Sequence, residues 1–187
     1  MLKQSLLKLL PIVWLSCAPI AGMTELARAQ TIPQQPSNQQ AEIAKLIQQM
    51  KTGNSSDRQN ASLELGKIGA AAKSALPQLI SLLKDPNPDV KIAAAYVLAR
   101  MGNAAKPAIP QLLKLFKDPE PDVRLSAATA LGGLAQSAQS AIPQLISLLK
   151  DADPLVRAYT VYTLGLMGGS ARSAIPQLIP LLQDSSP

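Results

Sequence analysis

The sequence contains no histidine, a single cysteine and few aromatic residues, which make up 3% of its 187 positions. Zinc, copper and haem iron are usually held by histidine or cysteine, so this scarcity argues against such centres. A serine or cysteine nucleophile activated by histidine is excluded for the same reason. The sequence also has no glycine-rich phosphate loop. We therefore predict a protein with no catalytic residues, no metal and no bound cofactor.

Alanine and leucine are abundant and are arranged in a repeat. Ile109–Ala141 forms one unit, and Leu76–Ala108 and Ile142–Ala174 repeat it. The prolines that open successive units stand 33 residues apart, at Pro77, Pro110, Pro143 and Pro176. Aspartates recur with the same period at Asp85, Asp118, Asp151 and Asp184. A fixed period of this length is typical of a solenoid.

Each unit carries the signals of two short helices joined by a turn. The opening proline stands at the start of the first helix, where its missing N–H costs nothing. In the second unit an apolar stripe through Leu79 and Leu82 follows, and Asn87-Pro88 then begins a second helix with Asn87 as its N-cap. The pattern predicts an all-α fold, an α-solenoid of antiparallel helix pairs with a repeat of 33 residues.

We place this repeat domain at residues 41–187, as four helix pairs plus one terminal helix. The first pair departs from the pattern, because Ala44 stands where later repeats have proline and Asn54-Ser55 where they have Asn87-Pro88. Terminal repeats are usually atypical and more polar, so this pair is expected to cap the solenoid.

Residues 1–29 have the features of a secretory signal peptide. A basic start precedes the apolar run Leu9–Met23, and Ala27-x-Ala29 follows as a cleavage signal. Cleavage before Gln30 predicts an exported protein, in the periplasm, the thylakoid lumen or the extracellular space, with no transmembrane segment left. Two alternatives are a retained membrane anchor, although the run is shorter than the roughly 20 residues that span a bilayer, and lipidation at Cys17.

Residues 30–40 are rich in glutamine and proline and predict a flexible linker, with a glutamine-rich binding segment as the alternative. Removal of residues 1–29 would lower the net charge from +6 to +4, because it takes away three basic residues and Glu25. The remaining basic residues are spread along the chain, and export would separate the protein from DNA. These points argue against nucleic acid as the partner, despite the isoelectric point near 9.6.

The last helix, Ile175–Asp184, is followed in the sequence by Ser185-Ser186-Pro187 and carries an apolar stripe. Its members are Leu178, Ile179, Leu181 and Leu182. Three interpretations are open: the chain is a fragment, this helix alone caps the fourth repeat, or a partner covers it. The third leads to a hypothesis of end-to-end self-association through the terminal helix.

The repeat resembles the HEAT-repeat family, and most closely the short bacterial HEAT-like repeats of cyanobacterial phycobilin lyase subunits. The residues that carry the resemblance are Asp85, Val90, Lys91, Ala94, Ala95, Leu98 and Gly102, then Asp118, Val123, Arg124, Ala127, Ala128 and Leu131, then Asp151, Val156, Arg157 and Leu164. The resemblance implies a right-handed superhelix, with the first helices on its convex side and the second helices on its concave side. It also implies a possible role in bilin attachment or phycobilisome handling.

One basic residue recurs per repeat at the start of the second helix. The positions are Arg58, Lys91, Arg124 and Arg157. They form either a surface for an anionic polymer or a structural ladder with Asp85, Asp118 and Asp151. We predict the structural ladder, because similar repeats pair such residues.

The resemblance also places one set of exposed positions on the concave side of the second helices. They are Gln59, Asn60, Leu63, Lys67, Ile92, Ala93, Tyr96, Arg100, Leu125, Ser126, Thr129, Gly133, Ala158, Tyr159, Tyr162 and Leu166. All three tyrosines of the chain fall in this set, and tyrosine and arginine are enriched where interfaces gain most of their energy. We predict partner contacts at Tyr96, Arg100, Tyr159, Tyr162, Thr129 and Ile92; the alternative is that the tyrosines fill space between repeats.

Three functions are compatible with this sequence. The first is a non-catalytic scaffold that binds another protein or peptide along its concave face. The second is a protein similar to a phycobilin lyase, which rests on the resemblance alone. The third is a structural unit that stacks through its terminal helix. We favour the scaffold.

Overall fold

The computed structural model describes residues 38–181 of the chain. Within this range nine α-helices follow one another: α1 (Asn38–Thr52), α2 (Ser55–Ile68), α3 (Leu76–Leu82), α4 (Pro88–Met101), α5 (Ile109–Lys114), α6 (Pro121–Gly133), α7 (Ile142–Leu148), α8 (Pro154–Leu166) and α9 (Ile175–Leu181). Helices α1–α8 form four pairs, and α9 follows the fourth. Within residues 38–181, none of the helices is both long and apolar enough to cross a bilayer.

The second helix of each pair begins at a capped turn. Asn87 accepts a hydrogen bond from the N–H of Asp89 at 2.9 Å, and Pro88 occupies the first helical position. Asp153 caps α8 in the same way, whereas Glu120 makes no side-chain cap bond at α6. The weaker capping of Glu120 agrees with its longer side chain, which suits the N-cap position less well.

The recurrent aspartates hold these turns. The carboxylates of Asp85, Asp118 and Asp151 each accept the N–H of the residue two positions further on, at 2.9–3.1 Å. This local bond is an Asx turn, which fixes the chain between the two helices. The first repeat has Thr52 at this position, and there a capping box between Asn54 and Asp57 organises the turn.

A third element, not predicted from the sequence, completes each repeat. Seven-residue 3-10 segments connect each second helix to the next first helix, at Gly69–Ala75, Gly102–Ala108, Ala135–Ala141 and Gly168–Ala174. Their alanines are buried and pack along the stack. A shorter 3-10 turn, Leu115–Lys117, extends α5.

The second helices form the inner layer of the solenoid. Helix α2 packs directly against α4, α4 against α6, and α6 against α8, whereas successive first helices make few contacts with one another. Elements lie closest on the inner side of a curved stack, so the second helices form its concave side. One apolar core, rich in leucine and alanine, runs through all repeats. The all-α solenoid predicted from the repeat is confirmed.

Some predicted boundaries differ from the structure. Helix α1 begins at Asn38, three residues before the predicted end of the linker at Gln40. Leu178, predicted to lie on an open apolar stripe, is half-buried against the core. The predicted signal peptide with Cys17, the linker up to residue 37, and residues 182–187 lie outside the described residues.

Candidate protein-binding surface

The concave face, which we define as the solvent side of α2, α4, α6 and α8, presents all three tyrosines. Tyr96 is 40% exposed, Tyr159 45% and Tyr162 61%. They are the only aromatic residues among the exposed large apolar side chains of residues 38–181. Large aromatic rings left in contact with water supply contact area at little entropic cost when a partner binds.

Tyr96 is held in place by a glycine of the preceding repeat. A Cβ atom built on Gly66 would lie 2.9 Å from Cε1 of Tyr96 and 3.2 Å from Cγ of Arg100. The side chains of Tyr96 and Arg100 therefore lie across the α2 backbone. The expectation that tyrosine fills space between repeats describes one edge of the Tyr96 ring, while the rest of the ring faces solvent.

Two shallow grooves run between the second helices. The first, of about 340 Å³, lies between α2 and α4 and is lined by Ser55, Arg58, Gln59, Ser62, Leu63, Asp89, Ile92, Ala93 and Tyr96. The second, of about 190 Å³, lies between α4 and α6 and is lined by Ile92, Ala95, Tyr96, Ala99, Leu125, Ser126, Thr129, Ala130 and Tyr159. Ile92 and Tyr96 line both grooves, so they form the ridge between them.

The grooves differ in charge. The first contains the ion pair of Arg58 and Asp89, in which Nη2 lies 3.0 Å from the carboxylate. The second has no charged side chain in its lining and is bounded by Tyr96 and Tyr159 on two sides. Apolar or aromatic side chains of a partner therefore fit the second groove better.

The remaining predicted contact positions are less accessible than the tyrosines. Arg100 is exposed, Ile92 and Thr129 are half-buried, and the Thr129 hydroxyl donates to the carbonyl of Leu125 at 3.0 Å. Ala93, expected to be exposed, is only 7% exposed because Tyr96 and the α2 side chains close around it. Ser62 and Asp89 line the first groove and were not predicted; their place in the helical register, beside Leu63 and Ile92, was the available signal.

The charge ladder, defined as Arg58, Lys91, Arg124 and Arg157 with their aspartate partners, joins neighbouring repeats. Lys91 forms an ion pair with Asp118. Arg124 binds Asp151 through two parallel bonds, from Nε at 2.8 Å and from Nη2 at 2.7 Å. Such a two-point contact fixes both distance and orientation.

The same cations also hold the turns of their own repeats. Nη1 of Arg124 donates to the carbonyl of Asp118 at 2.9 Å, and Nη1 of Arg157 donates to that of Asp151 at 3.0 Å. The side chains of Lys91 and Arg124 are only 12% and 13% exposed. Their donors are therefore directed into the repeat junctions and away from an anionic polymer.

The first step of the ladder departs from the predicted pairing. Arg58 binds Asp89, whose side chain is 53% exposed, and does not bind Asp85. Its Nη1 donates to the carbonyl of Gly53 at 2.6 Å, while its buried Nε has no partner within the described residues. The Asp85 carboxylate instead accepts the N–H of Asn87 in its own turn.

The Arg124–Asp151 pair changes the acid–base properties of both groups. The hydrogen bond from Arg124 lowers the pKa of Asp151, which the N–H of Asp153 lowers further while burial opposes the shift. The same hydrogen bond raises the pKa of Arg124. Both groups stay charged at neutral pH. Among residues 38–181 no three histidine, cysteine, aspartate or glutamate side chains are grouped as a metal site would require.

Helix pairs of equal length, joined by a periodic ladder and stacked in one direction, define an α-solenoid repeat protein. The family model of HEAT repeats matches residues 43–131 and 109–187, and the chain belongs to this family. Its fold is therefore that of a repeat scaffold.

Several solved structures share this fold. The complex of CpcE and CpcF of phycocyanin lyase from Nostoc sp. PCC7120 contains a chain that is 25% identical, with a TM-score of 0.50 over 66% of this chain and 98% of that chain. An engineered protein is 24% identical, with a TM-score of 0.55 over 74% and 68% of the two chains. The designed armadillo repeat protein YIII(Dq)4CqI is 21% identical, with a TM-score of 0.55 over 77% and 76%. No curated protein matches the chain significantly in sequence. The predicted resemblance to HEAT-like repeats of phycobilin lyase subunits is confirmed.

Proposed function

We propose that this protein is a non-catalytic scaffold that binds another protein or a peptide along its concave face. The observation that carries the proposal is the exposure of Tyr96, Tyr159 and Tyr162 on one surface of an otherwise aromatic-poor chain. Arg100 lies beside Tyr96 over Gly66. Tyrosine and arginine contribute strongly to binding when a partner removes them from water.

The spacing of the second helices sets the length of the segment that would bind. Packed helices lie about 8–10 Å apart, so Tyr96 and Tyr162, which stand two repeats apart, are separated by roughly 20 Å. An extended chain covers this distance in about six residues. The partner segment would place an apolar side chain in the second groove, between Tyr96 and Tyr159.

The first test is a capture experiment from the soluble and envelope fractions of the source cells. The bait is the chain from Gln30 to Pro187, unchanged or with Tyr96, Arg100, Tyr159 and Tyr162 replaced by alanine. A matched control replaces four exposed side chains of the first helices with alanine: Gln78, Lys84, Lys114 and Gln144. A partner lost only with the concave variant supports the proposal, and a partner retained by both variants contradicts it.

The compartment is a separate part of the proposal. We infer export and cleavage before Gln30 from the basic start, the apolar run and the Ala-x-Ala signal. The test is amino-terminal sequencing of the protein isolated from its cells. A chain that begins at Gln30 supports export, one that begins at a lipid-modified Cys17 indicates a lipoprotein, and one that retains Met1 contradicts cleavage.

A second candidate function is assistance in attaching bilin to an antenna protein. It is supported by the likeness to the phycocyanin lyase complex, in which this chain covers 98% of the matched chain. If this function is correct, the protein purified from bilin-producing cells should carry visible absorbance, or its deletion should lower the bilin content of the antenna proteins. The absence of both effects would leave the scaffold function alone.

A further inference from the structure

The outward side of α8 differs from the same side of every earlier second helix. Val161 is 38% exposed, whereas its equivalents Ser62, Ala95 and Ala128, each 33 residues apart, are 5%, 1% and 0% exposed. In the earlier repeats the next second helix covers this position. Val161 is therefore an aliphatic side chain at a site that the fold normally buries.

Gly165 gives the same result by a different measure. A Cβ atom on Gly66 or Gly132 would meet side chains of the following repeat at 2.9 and 3.2 Å, but one on Gly165 would meet nothing within 4 Å. Glycine at this position provides a seat on which the next helix approaches closely. On α8 the seat is present and is not filled by any of the described residues.

Helix α9 extends the same surface. Ile175 is 51% exposed, while its equivalents Leu76, Ile109 and Ile142 are 5–8% exposed. Ile179 is 58% exposed and lies one turn further along. We define Val161, Gly165, Ile175 and Ile179 as the end face.

The opposite end of the solenoid has a different chemistry. Glu64 stands at the position of Val97, Ala130 and Thr163, all of which are buried, and forms an exposed ion pair with Lys67 at 2.7 Å. Stacking one copy's α2 on another copy's α8 would remove this pair from water. Burial of an ion pair in an apolar contact is costly, so the predicted end-to-end stacking does not suit this surface.

We propose that the end face is a self-association surface, on which two copies pack α8 against α8 across a two-fold axis. A two-fold contact buries the apolar end of each copy and leaves both polar ends in water. It uses the same patch on both partners, which is the commonest arrangement of homo-oligomers. Gly165 lets the two helices approach closely, as Gly66 and Gly132 do within the chain. This assignment does not depend on what binds the concave face.

The test is sedimentation equilibrium of the purified chain over a wide range of concentrations. We expect a mass that reaches twice that of the chain and rises no further. Val161→Arg and Gly165→Leu should each raise the dimer dissociation constant at least about tenfold. Both substitutions fall at positions with free space in the single copy, so thermal unfolding followed by circular dichroism should show that each variant stays folded.

The matched control is Leu155→Arg. Leu155 lies on the same helix and is 57% exposed, but its equivalents Asp89 and Asp122 are exposed in the earlier repeats, so it is outside the end face. This variant should dimerise like the unchanged chain. A chain that stays monomeric, a mass that grows beyond the dimer, or equal weakening by Leu155→Arg would each overturn the proposal.

Discussion

The first junction between repeats, where α2 meets α4, and the third, where α6 meets α8, carry the same ladder position but complete it differently. At the third junction Arg124 grips Asp151 with two bonds, and the carboxylate is 9% exposed. At the first junction Arg58 makes one bond to Asp89, which is 53% exposed, and its buried Nε has no partner within the described residues.

A second difference runs in the opposite direction. The residue that leads from the second helix into the 3-10 segment has a positive φ in every repeat. At the first junction this residue is Gly69, with φ +56°, and at the third it is Ala135, with φ +46°. The third junction thus combines the stronger ion pair with a strained backbone, and the first combines a weaker pair with a relaxed one. A periodic sequence does not distribute stability evenly.

The largest expected effect follows from breaking the stronger ladder step. Arg124→Ala should lower the free energy of unfolding by about 3 kcal/mol, because it leaves a buried carboxylate without its partner. Arg58→Ala should cost only about 1 kcal/mol, because Asp89 is largely hydrated. Urea unfolding followed by circular dichroism measures both. Equal losses would show that the two steps contribute alike, against the difference in their geometry.

Acid should remove the same advantage. The pKa of Asp151 is lowered in the folded protein, so this group stabilises the fold above its ordinary value of 3.8 and loses that contribution as pH falls through the lower folded value. The stability gap between the unchanged chain and Arg124→Ala should therefore be full at pH 7 and shrink below about pH 4. Unfolding curves at pH 7, 4 and 2.5 test this. A gap that stays constant would mean that the arginine acts through the turn carbonyls alone.

The sequence predicted the parts of these junctions that depend on local signals. Pro88 with Asn87 marks a helix start, and the 33-residue period of Arg124 and Asp151 places them in neighbouring repeats. The partner of Arg58 could not be predicted, because Asp85 and Asp89 both lie near the start of α4 and only the three-dimensional path of the arginine distinguishes them.

Two further features depend on tertiary context. The 3-10 segments consist of alanine, serine and glycine with no apolar period, so their form is set by packing against neighbouring repeats and not by a local pattern. The exposure of Val161 and Ile175 arises because no described helix covers them, and in sequence they look like core residues. The tyrosines were recognised by their register on the second helices, which the structure reproduces as an exposed set.

The next effect concerns the backbone. Ala135→Gly should raise the free energy of unfolding by about 0.5–1 kcal/mol, because a left-handed conformation costs alanine about 1–2 kcal/mol and part of the gain is lost to the greater freedom of glycine when unfolded. The matched control is Gly69→Ala at the first junction, where an added Cβ meets only the carbonyl of Arg100 at 3.4 Å and should cost about 1 kcal/mol. If thermal unfolding gave both changes the same sign, strain would not distinguish the junctions.

The smallest effect on stability is expected at Gly66, where the first junction meets the concave face. Alanine is a better helix former than glycine by about 1 kcal/mol, but here its Cβ would lie 2.9 Å from Cε1 of Tyr96 and 3.2 Å from Cγ of Arg100. We expect the two terms to cancel within about 0.5 kcal/mol. Gly165→Ala, with nothing within 4 Å, keeps the full gain and serves as the control.

Gly66→Ala also separates stability from binding. Because the added methyl group displaces the ring of Tyr96 without unfolding the repeat, the variant should capture less partner while its melting temperature is nearly unchanged. Gly165→Ala should capture partner normally and melt higher. Normal capture by Gly66→Ala would mean that the position of the Tyr96 ring does not matter to the partner, and the binding contacts would then lie nearer to Tyr159 and Tyr162.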